Sequence, residues 1–236
     1  MEFKRVVVLT GAGISAESGI RTFRDQNGLW EDHPVEDVAT PEGFQRNPNL
    51  VYQFYNMRRA QLLDASVVPN AAHQILAEFE AEHIARGGHF TLITQNVDNL
   101  HQRAGNQRII AMHGQLQSAL CSVSGLSIPW TNDLTAEHHC QCCETPSSLR
   151  PDIVWFGEVP YQLDDCFEVV SKADLFVSIG TSGKVYPAAG FMQVAQESGA
   201  ETVELNLEKT SSAFDQGYYG PATEVVVDFF SRLMQR

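Results

Sequence analysis

Four short aliphatic runs constrain the fold of this chain more than any other feature: residues 5–10 (RVVVLT), 89–95 (HFTLITQ), 174–180 (DLFVSIG) and 201–207 (ETVELNL). Each ends in a polar or glycine-containing turn. Runs that are apolar at nearly every position suit strands buried on both faces, the situation inside a parallel sheet. Residues 108–112 and 152–155 read as weaker strands. Helix-like stretches at 70–86, 159–172, 187–198 and 221–236 lie between them, and Asn70 stands where the first of these needs an N-cap acceptor. Strand and helix in alternation predict an α/β protein built on a doubly wound, Rossmann-like parallel sheet.

Two segments break the alternation. Residues 39–65 read as a helical insert, and 114–149 are polar, carry cysteines and have few long periodic stretches. Together they are expected to form a smaller domain, with 1–38, 66–113 and 150–236 making the sheet domain.

Composition narrows the function. Sixteen Lys plus Arg against 29 Asp plus Glu leave a net charge of −13. That opposes a nucleic-acid or anionic-membrane partner, either of which needs a basic face to meet phosphates. No apolar run approaches the roughly 18 to 20 residues of a membrane span, and the apolar start is too short for a signal peptide. The five cysteines are odd in number, with Cys140, Cys142 and Cys143 crowded together, Cys121 upstream and Cys166 apart. A secreted disulfide framework rarely has this spacing, so a reducing cytoplasm is the expected compartment. Oligomeric state is not legible; a monomer is the expectation.

The turn after the first run reads Gly11-Ala12-Gly13-Ile14-Ser15-Ala16-Glu17-Ser18-Gly19. Glycines directly after a buried strand allow a tight turn and close approach to a pyrophosphate, whose charge suits a following helix N-terminus. The third glycine of a dinucleotide fingerprint is replaced by Ala16. Such a turn serves a purely structural purpose equally well. Asn206 and Glu208, past the last run, could meet ribose hydroxyls and favour the dinucleotide reading.

Further motifs follow in order: Thr10-Gly11 through Phe23-Arg24, Gln95-Asn96-Val97-Asp98 with His101, Met112-His113-Gly114, Val154-Trp155-Phe156-Gly157-Glu158, Gly180-Thr181-Ser182 and Asn206-Leu207-Glu208. In order and separation they resemble the sirtuin family over essentially the whole chain. The resemblance implies NAD-dependent protein lysine deacylation, in which the acyl oxygen of a modified lysine attacks the nicotinamide ribose, nicotinamide leaves, and a ribose hydroxyl resolves the adduct to 2′-O-acyl-ADP-ribose. It implies His113 as catalytic base, with a pKa suited to taking a proton at neutral pH. Asn96 is the second catalytic residue and, with Gln95, Val97 and Asp98, lines the nicotinamide and ribose pocket. Gly11, Ala12, Gly13 and Ser15 form the phosphate turn, and Phe23 and Arg24 lie on a loop that closes over NAD. Gly180, Thr181, Ser182, Asn206, Leu207, Glu208 and Ala222 complete the cofactor set. Val154, Phe156, Gly157 and Glu158 would pair with an extended substrate peptide.

The resemblance also implies a structural zinc. Cys121, Cys140 and Cys143 stand in ligand positions, but Ser124 occupies the fourth, leaving Cys142, His138 or His139 to complete a tetrahedron, or a metal-free packing unit. Ala39, Tyr55 and Arg58 match the set with which class III sirtuins accept succinyl, malonyl or glutaryl lysine. Tyr55 and Arg58 share a helix face, and a guanidinium beside a phenol is suited to gripping a distal carboxylate. Acyl-lysine proteins are therefore the expected partners. A dehydrogenase, a mono-ADP-ribosyltransferase and a noncatalytic NAD or zinc interaction module are the alternatives.

Overall fold

The computed structural model describes residues 3–21, 29–30, 33–211 and 213–235. In chain order the strands and α-helices are β1 (Arg5–Thr10), β2 (Leu29–Trp30), β3 (His33–Pro34), α1 (Val35–Val38), α2 (Pro41–Arg46), α3 (Pro48–Leu63), α4 (Ala71–Ala85), β4 (His89–Thr94), α5 (Leu100–Ala104), β5 (Ile109–Ala111), β6 (Gly114–Cys121), β7 (Ser127–Pro129), β8 (Leu149–Ile153), α6 (Leu163–Ser171), β9 (Leu175–Ile179), α7 (Phe191–Glu197), β10 (Glu201–Asn206), β11 (Gln216–Tyr219) and α8 (Ala222–Met234). A 3-10 helix, Ala12–Ser18, follows β1, and a short one, Ala188–Gly190, precedes α7.

Six parallel strands form the main sheet in the order β5-β4-β1-β9-β10-β11. The chain runs outward from β1 to β4 and β5, then returns to the other side of β1 through β9. That reversal is the switch point of a doubly wound sheet, where ligands bind at the carboxyl ends. The strands are apolar throughout because alternate residues feed two cores. Val6, Val8, Leu92, Val177 and Val203 pack with α4 and α8 on one face. Val7, Leu9, Ile93 and Phe176 pack with α6 and α7 on the other.

Asn70 caps α4 as expected, its Oδ1 accepting from the amides of Ala72 and His73 at 3.0 and 3.4 Å. Its Nδ2 also donates to the Ile14 carbonyl at 2.8 Å, tying the cap to the turn after β1.

Beside this sheet, β7-β6-β8 form an antiparallel sheet. The segment read as a weak strand at 152–155 starts earlier and pairs with β6 rather than entering the parallel sheet, because Leu149 and Ile153 pack with the small cores. Helix α3 is buried on two sides. Tyr52 donates to the Leu149 carbonyl at 2.6 Å and Arg59 Nε to the Leu116 carbonyl at 2.7 Å, while the Asn56 amide exchanges two hydrogen bonds with the Leu134 backbone. The helical and cysteine-bearing inserts thus pack as one unit.

Candidate active site

The turns after β1 and β9 meet at the switch point. Gly11 and Gly13 amides donate to the Ile179 and Gly180 carbonyls, both at 2.9 Å. A Cβ on Gly13 would lie 2.7 Å from Gly180 Cα, and one on Gly180, which has φ +61°, would lie 2.5 Å from the Ile14 nitrogen. The approach of these two backbones is therefore the immediate reason for the glycines. Ala12 and Ser15 lie in the 3-10 helix that opens there.

Ser15 joins the turn to the stretch after β4. Its hydroxyl donates to Asp98 Oδ2 at 2.9 Å and accepts from Asn96 Nδ2 at 3.2 Å, and Asp98 Oδ1 accepts from the Leu100 amide at 3.0 Å. All three side chains are buried, and burial raises the Asp98 carboxyl above the usual carboxylate range. Gln95 and Val97 hold this stretch through their backbones, the Gln95 amide donating to Thr10 and the Val97 carbonyl accepting from Leu116.

His113 sits between β5 and β6. Its Nδ1 lies 3.1 Å from the Gln95 carbonyl, which can only accept, so Nδ1 carries the proton and Nε2 is the basic nitrogen. Burial lowers its pKa, opposed by the Gln95 bond. The Val154 amide donates to the His113 carbonyl at 2.9 Å and the Met112 amide to that of Thr94 at 3.1 Å, fixing the backbone on both sides.

Across the switch point, Asn206 Nδ2 donates to the Thr181 carbonyl at 2.7 Å, and Asn206 Oδ1 accepts from the Leu207 amide. Thr181 shares a 3.0 Å bond with Ser178, Ser182 accepts from the Lys184 amide, Leu207 and Glu208 are exposed, and Ala222 opens α8. Phe23 and Arg24 lie outside the described residues.

Beneath these turns lies a buried histidine pair, of which the sequence motifs include His101 but not His73. His73 and His101 stack at 4.8 Å between ring centroids, with His73 Nδ1 on Asn70 Oδ1 and His101 Nε2 on Thr10 Oγ1 at 3.0 Å. Neither belongs to an apolar periodicity that could flag it. Burial lowers His73 to about 4 and also holds His101 well below its ordinary value. Both are neutral in the fold, whereas the unfolded chain takes up protons near pH 6.5. Stability present above about pH 6.5 is therefore lost as pH falls toward 4, by ~3 kcal/mol from His73 alone. Denaturant melts at pH 7 and pH 4.5 are expected to show a shallower acid loss in His73→Asn than in the parent; equal losses would contradict this assignment.

Ala39, Tyr55 and Trp155 fall in one buried cluster with α3. The Phe156 amide donates to the Ala39 carbonyl at 3.0 Å, and Trp155 Nε1 to the Tyr55 oxygen at 3.0 Å. Arg58 is nearly buried, with its guanidinium 4.4 Å from the Phe54 ring centroid. Phe156 and Gly157 are exposed and Val154 half-buried, whereas the Glu158 carboxylate turns back onto Arg150 Nη2 and the Trp155 amide, each at 2.8 Å.

The fold groups four thiols where the sequence spacing left the fourth ligand open. Sγ atoms of Cys121, Cys140, Cys142 and Cys143 all lie within 4.8 Å of one another. Cys121 and Cys143 are 3.7 Å apart, Cys142 and Cys143 3.9 Å. A tetrahedron with zinc–sulfur bonds of about 2.3 Å requires edges of about 3.8 Å. His138 and His139 stay outside this group, their Nδ1 atoms held by Thr135 and by the Glu137 carbonyl. The Ser124 and Ser147 hydroxyls help hold Cys121 down at about 5, toward the thiolate form that ligates metal, whereas the neighbouring thiols push Cys143 up to about 11, as expected where four thiols crowd together. The four-thiol cluster fits a structural zinc. Cys166 is buried in the core under α6 and takes no part.

Glycine turns meeting at a switch point, a neutral histidine beside a buried Asn–Ser–Asp chain, and a four-thiol unit by the small antiparallel sheet define an α/β nucleotide-site fold with a metal-type small domain. The Sir2 family model matches residues 11–187. An NAD-dependent protein deacylase of Escherichia coli (strain K12) is 56% identical over 237 residues, covering 100% of this chain and 84% of that protein. A solved Sir2 homolog–NAD complex superposes with a TM-score of 0.87 at 36% identity, covering 99% of this chain and 91% of that one. A Sir2 homologue triple mutant in complex with 2′-O-acetyl ADP ribose gives 0.87 at 36%, covering 99% and 93%. The chain belongs to the Sir2 family.

Proposed function

We propose that this protein is an NAD-dependent protein lysine deacylase that removes acetyl and succinyl groups, with malonyl as a further substrate. The observation that carries the reading is the His113 imidazole, held by Gln95 with its proton on Nδ1, beside the Asn96–Ser15–Asp98 chain at the switch point. The 56% identity over 237 residues to a protein deacylase supports the same activity.

NAD, when bound, supplies the ADP-ribosyl group that accepts the acyl group, with nicotinamide as leaving group. Gly11, Ala12, Gly13 and Ser15 would hold it from one turn, and Gly180, Thr181, Ser182, Asn206, Leu207, Glu208 and Ala222 from the opposite side. The donor set fits, since backbone amides, hydroxyls and amide side chains at strand ends suit phosphate and ribose. Asn96 and Asp98 orient the ribose side of the pocket, their positions set by Ser15. His113 Nε2 takes the hydroxyl proton; a neutral imidazole does this without first losing a proton of its own.

Val154, Phe156, Gly157 and Glu158 present the edge along which a substrate peptide would lie, Glu158 contributing backbone while its carboxylate braces the turn. The lysine-bearing partner is a protein; neither nucleic acid nor membrane fits a net charge of −13. Among the described residues no helix is long and apolar enough to cross a membrane. A cytoplasmic, monomeric enzyme is part of this proposal, the crowded cysteine spacing suiting metal ligation rather than a secreted disulfide framework. The division into 39–65 plus 114–149 and the sheet domain is part of this proposal, and the pairing of β6 with β8 supports carrying the small unit on to Ile153.

Ala39, Tyr55 and Arg58 form the acyl-carboxylate pocket. Arg58→Met is expected to lower kcat/KM for a succinyl-lysine peptide by roughly 10²-fold, the scale of hydrogen bonds to a charged group, with deacetylation reduced far less. Equal loss of both activities in peptide assays would remove the pocket from the proposal.

A further inference from the structure

One more side chain joins this group, at the Tyr55 phenol. Trp155 Nε1 and the Tyr55 oxygen are 3.0 Å apart, with Trp155 3% and Tyr55 0% exposed. An indole nitrogen can only donate, so the phenol oxygen is the acceptor in this bond and the phenol's own proton takes no part in it. A hydroxyl that accepts one hydrogen bond is also a stronger donor in the next. Carboxylates only accept. A pocket meant to prefer an acyl chain ending in a carboxylate is therefore served by a phenol committed to donating.

The indole is held rigidly for this purpose. The Arg150 guanidinium lies 4.2 Å from the centroid of its ring, and the Phe44 ring packs against it at 5.2 Å. Glu158 grips both partners, accepting from Arg150 Nη2 through one oxygen and from the Trp155 amide through the other, each at 2.8 Å. Phe44, Arg150, Glu158 and Trp155 thus make a frame that ends on the Tyr55 oxygen.

We propose that Trp155 is a specificity-positioning residue, whose indole N–H sets the Tyr55 hydroxyl as a donor toward acyl groups that end in a carboxylate. The inference rests on the acyl-pocket reading of Ala39, Tyr55 and Arg58. It assigns the Glu158 carboxylate a role in selectivity that acts through Trp155.

The test measures kcat and KM for matched succinyl- and acetyl-lysine peptides at saturating NAD, in the parent, Trp155→Phe, Tyr55→Phe and the double variant. Trp155→Phe keeps an aromatic ring and deletes the N–H. The succinyl-to-acetyl ratio of kcat/KM is expected to fall about tenfold, mainly through KM for the succinyl peptide, as for a lost hydrogen bond to a charged group. In the Tyr55→Phe background the same change is expected to lower the ratio no further, since the two residues act through one hydroxyl. An unchanged ratio, or the same additional loss without the Tyr55 hydroxyl, would overturn the proposal. Arg150→Gln releases the indole without deleting its N–H and should lower the ratio about threefold. If Trp155→Phe does not fold, an unchanged ratio in Arg150→Gln overturns it instead. A parent protein without desuccinylase activity would defeat the pocket reading itself, a result distinct from parent desuccinylation that ignores Trp155.

Discussion

Replacing His113 with alanine is expected to lower kcat/KM for acetyl and succinyl peptides alike by about 10³-fold, the scale of a lost general base. The folded state should survive, because among the described residues the side chain makes a single hydrogen bond, to the Gln95 carbonyl. The pH profile supplies an independent check. A base works only when deprotonated, and burial lowers the His113 pKa. The rising limb of kcat/KM is therefore expected to have its midpoint below pH 6.5, with activity flat through neutrality. Retention of deacylation in His113→Ala would remove the histidine from the chemistry, and a rising limb centred above pH 7 would contradict its burial.

Loss of one zinc ligand is expected to have the largest effect on the fold. Structural zinc contributes folding free energy directly. Cys142→Ser should cut the zinc content measured by mass spectrometry of the native protein and lower Tm by about 10 °C, the shift that a few kcal/mol produces in a chain of this size. Activity should fall with it, since α3 carries Tyr55 and Arg58 on the same helix that braces the small unit through Tyr52, Asn56 and Arg59. Cys166→Ser, in a different core, should leave zinc content unchanged. Full zinc occupancy and an unshifted Tm in Cys142→Ser would exclude Cys142 and return His138 or His139 to consideration.

The contrast between β1 and β11 shows what the sequence could disclose about the fold. Val6, Val7, Val8 and Leu9 announce their strand because both faces of it are buried. Gln216–Tyr219 is an exposed edge strand, so no burial pattern marks it. Residues 149–153 were legible only in part, because Pro151 and Asp152 interrupt the apolar pattern and pairing with β6 decides their place.

The site divides in the same way. His113, Asn96 and Asp98 stood out through motifs, yet the hydroxyl of Ser15 that joins Asn96 to Asp98 is visible only in space. The spacing of Gly11 and Gly13 suits a ligand-binding turn and a structural turn alike, and in space their nearest constraint is the Gly180 backbone. Cys142 was ambiguous because Cys-x-x-Cys spacing selects Cys140 and Cys143, and only the folded turn brings the neighbouring thiol into the cluster. Arg59 looks like a surface cation on paper. It is buried because α3 is enclosed by the small sheet on one side and the cluster of Ala39, Tyr55 and Trp155 on the other.

The most direct test of the central claim is to incubate the protein with NAD and matched acetyl-, succinyl- and malonyl-lysine peptides and follow all products by mass spectrometry. The expected result is unmodified peptide, nicotinamide and 2′-O-acyl-ADP-ribose in equal amounts, from the acetyl and succinyl peptides at least. Absence of deacylated peptide with every acyl group, or transfer of ADP-ribose to protein without deacylation, would contradict it.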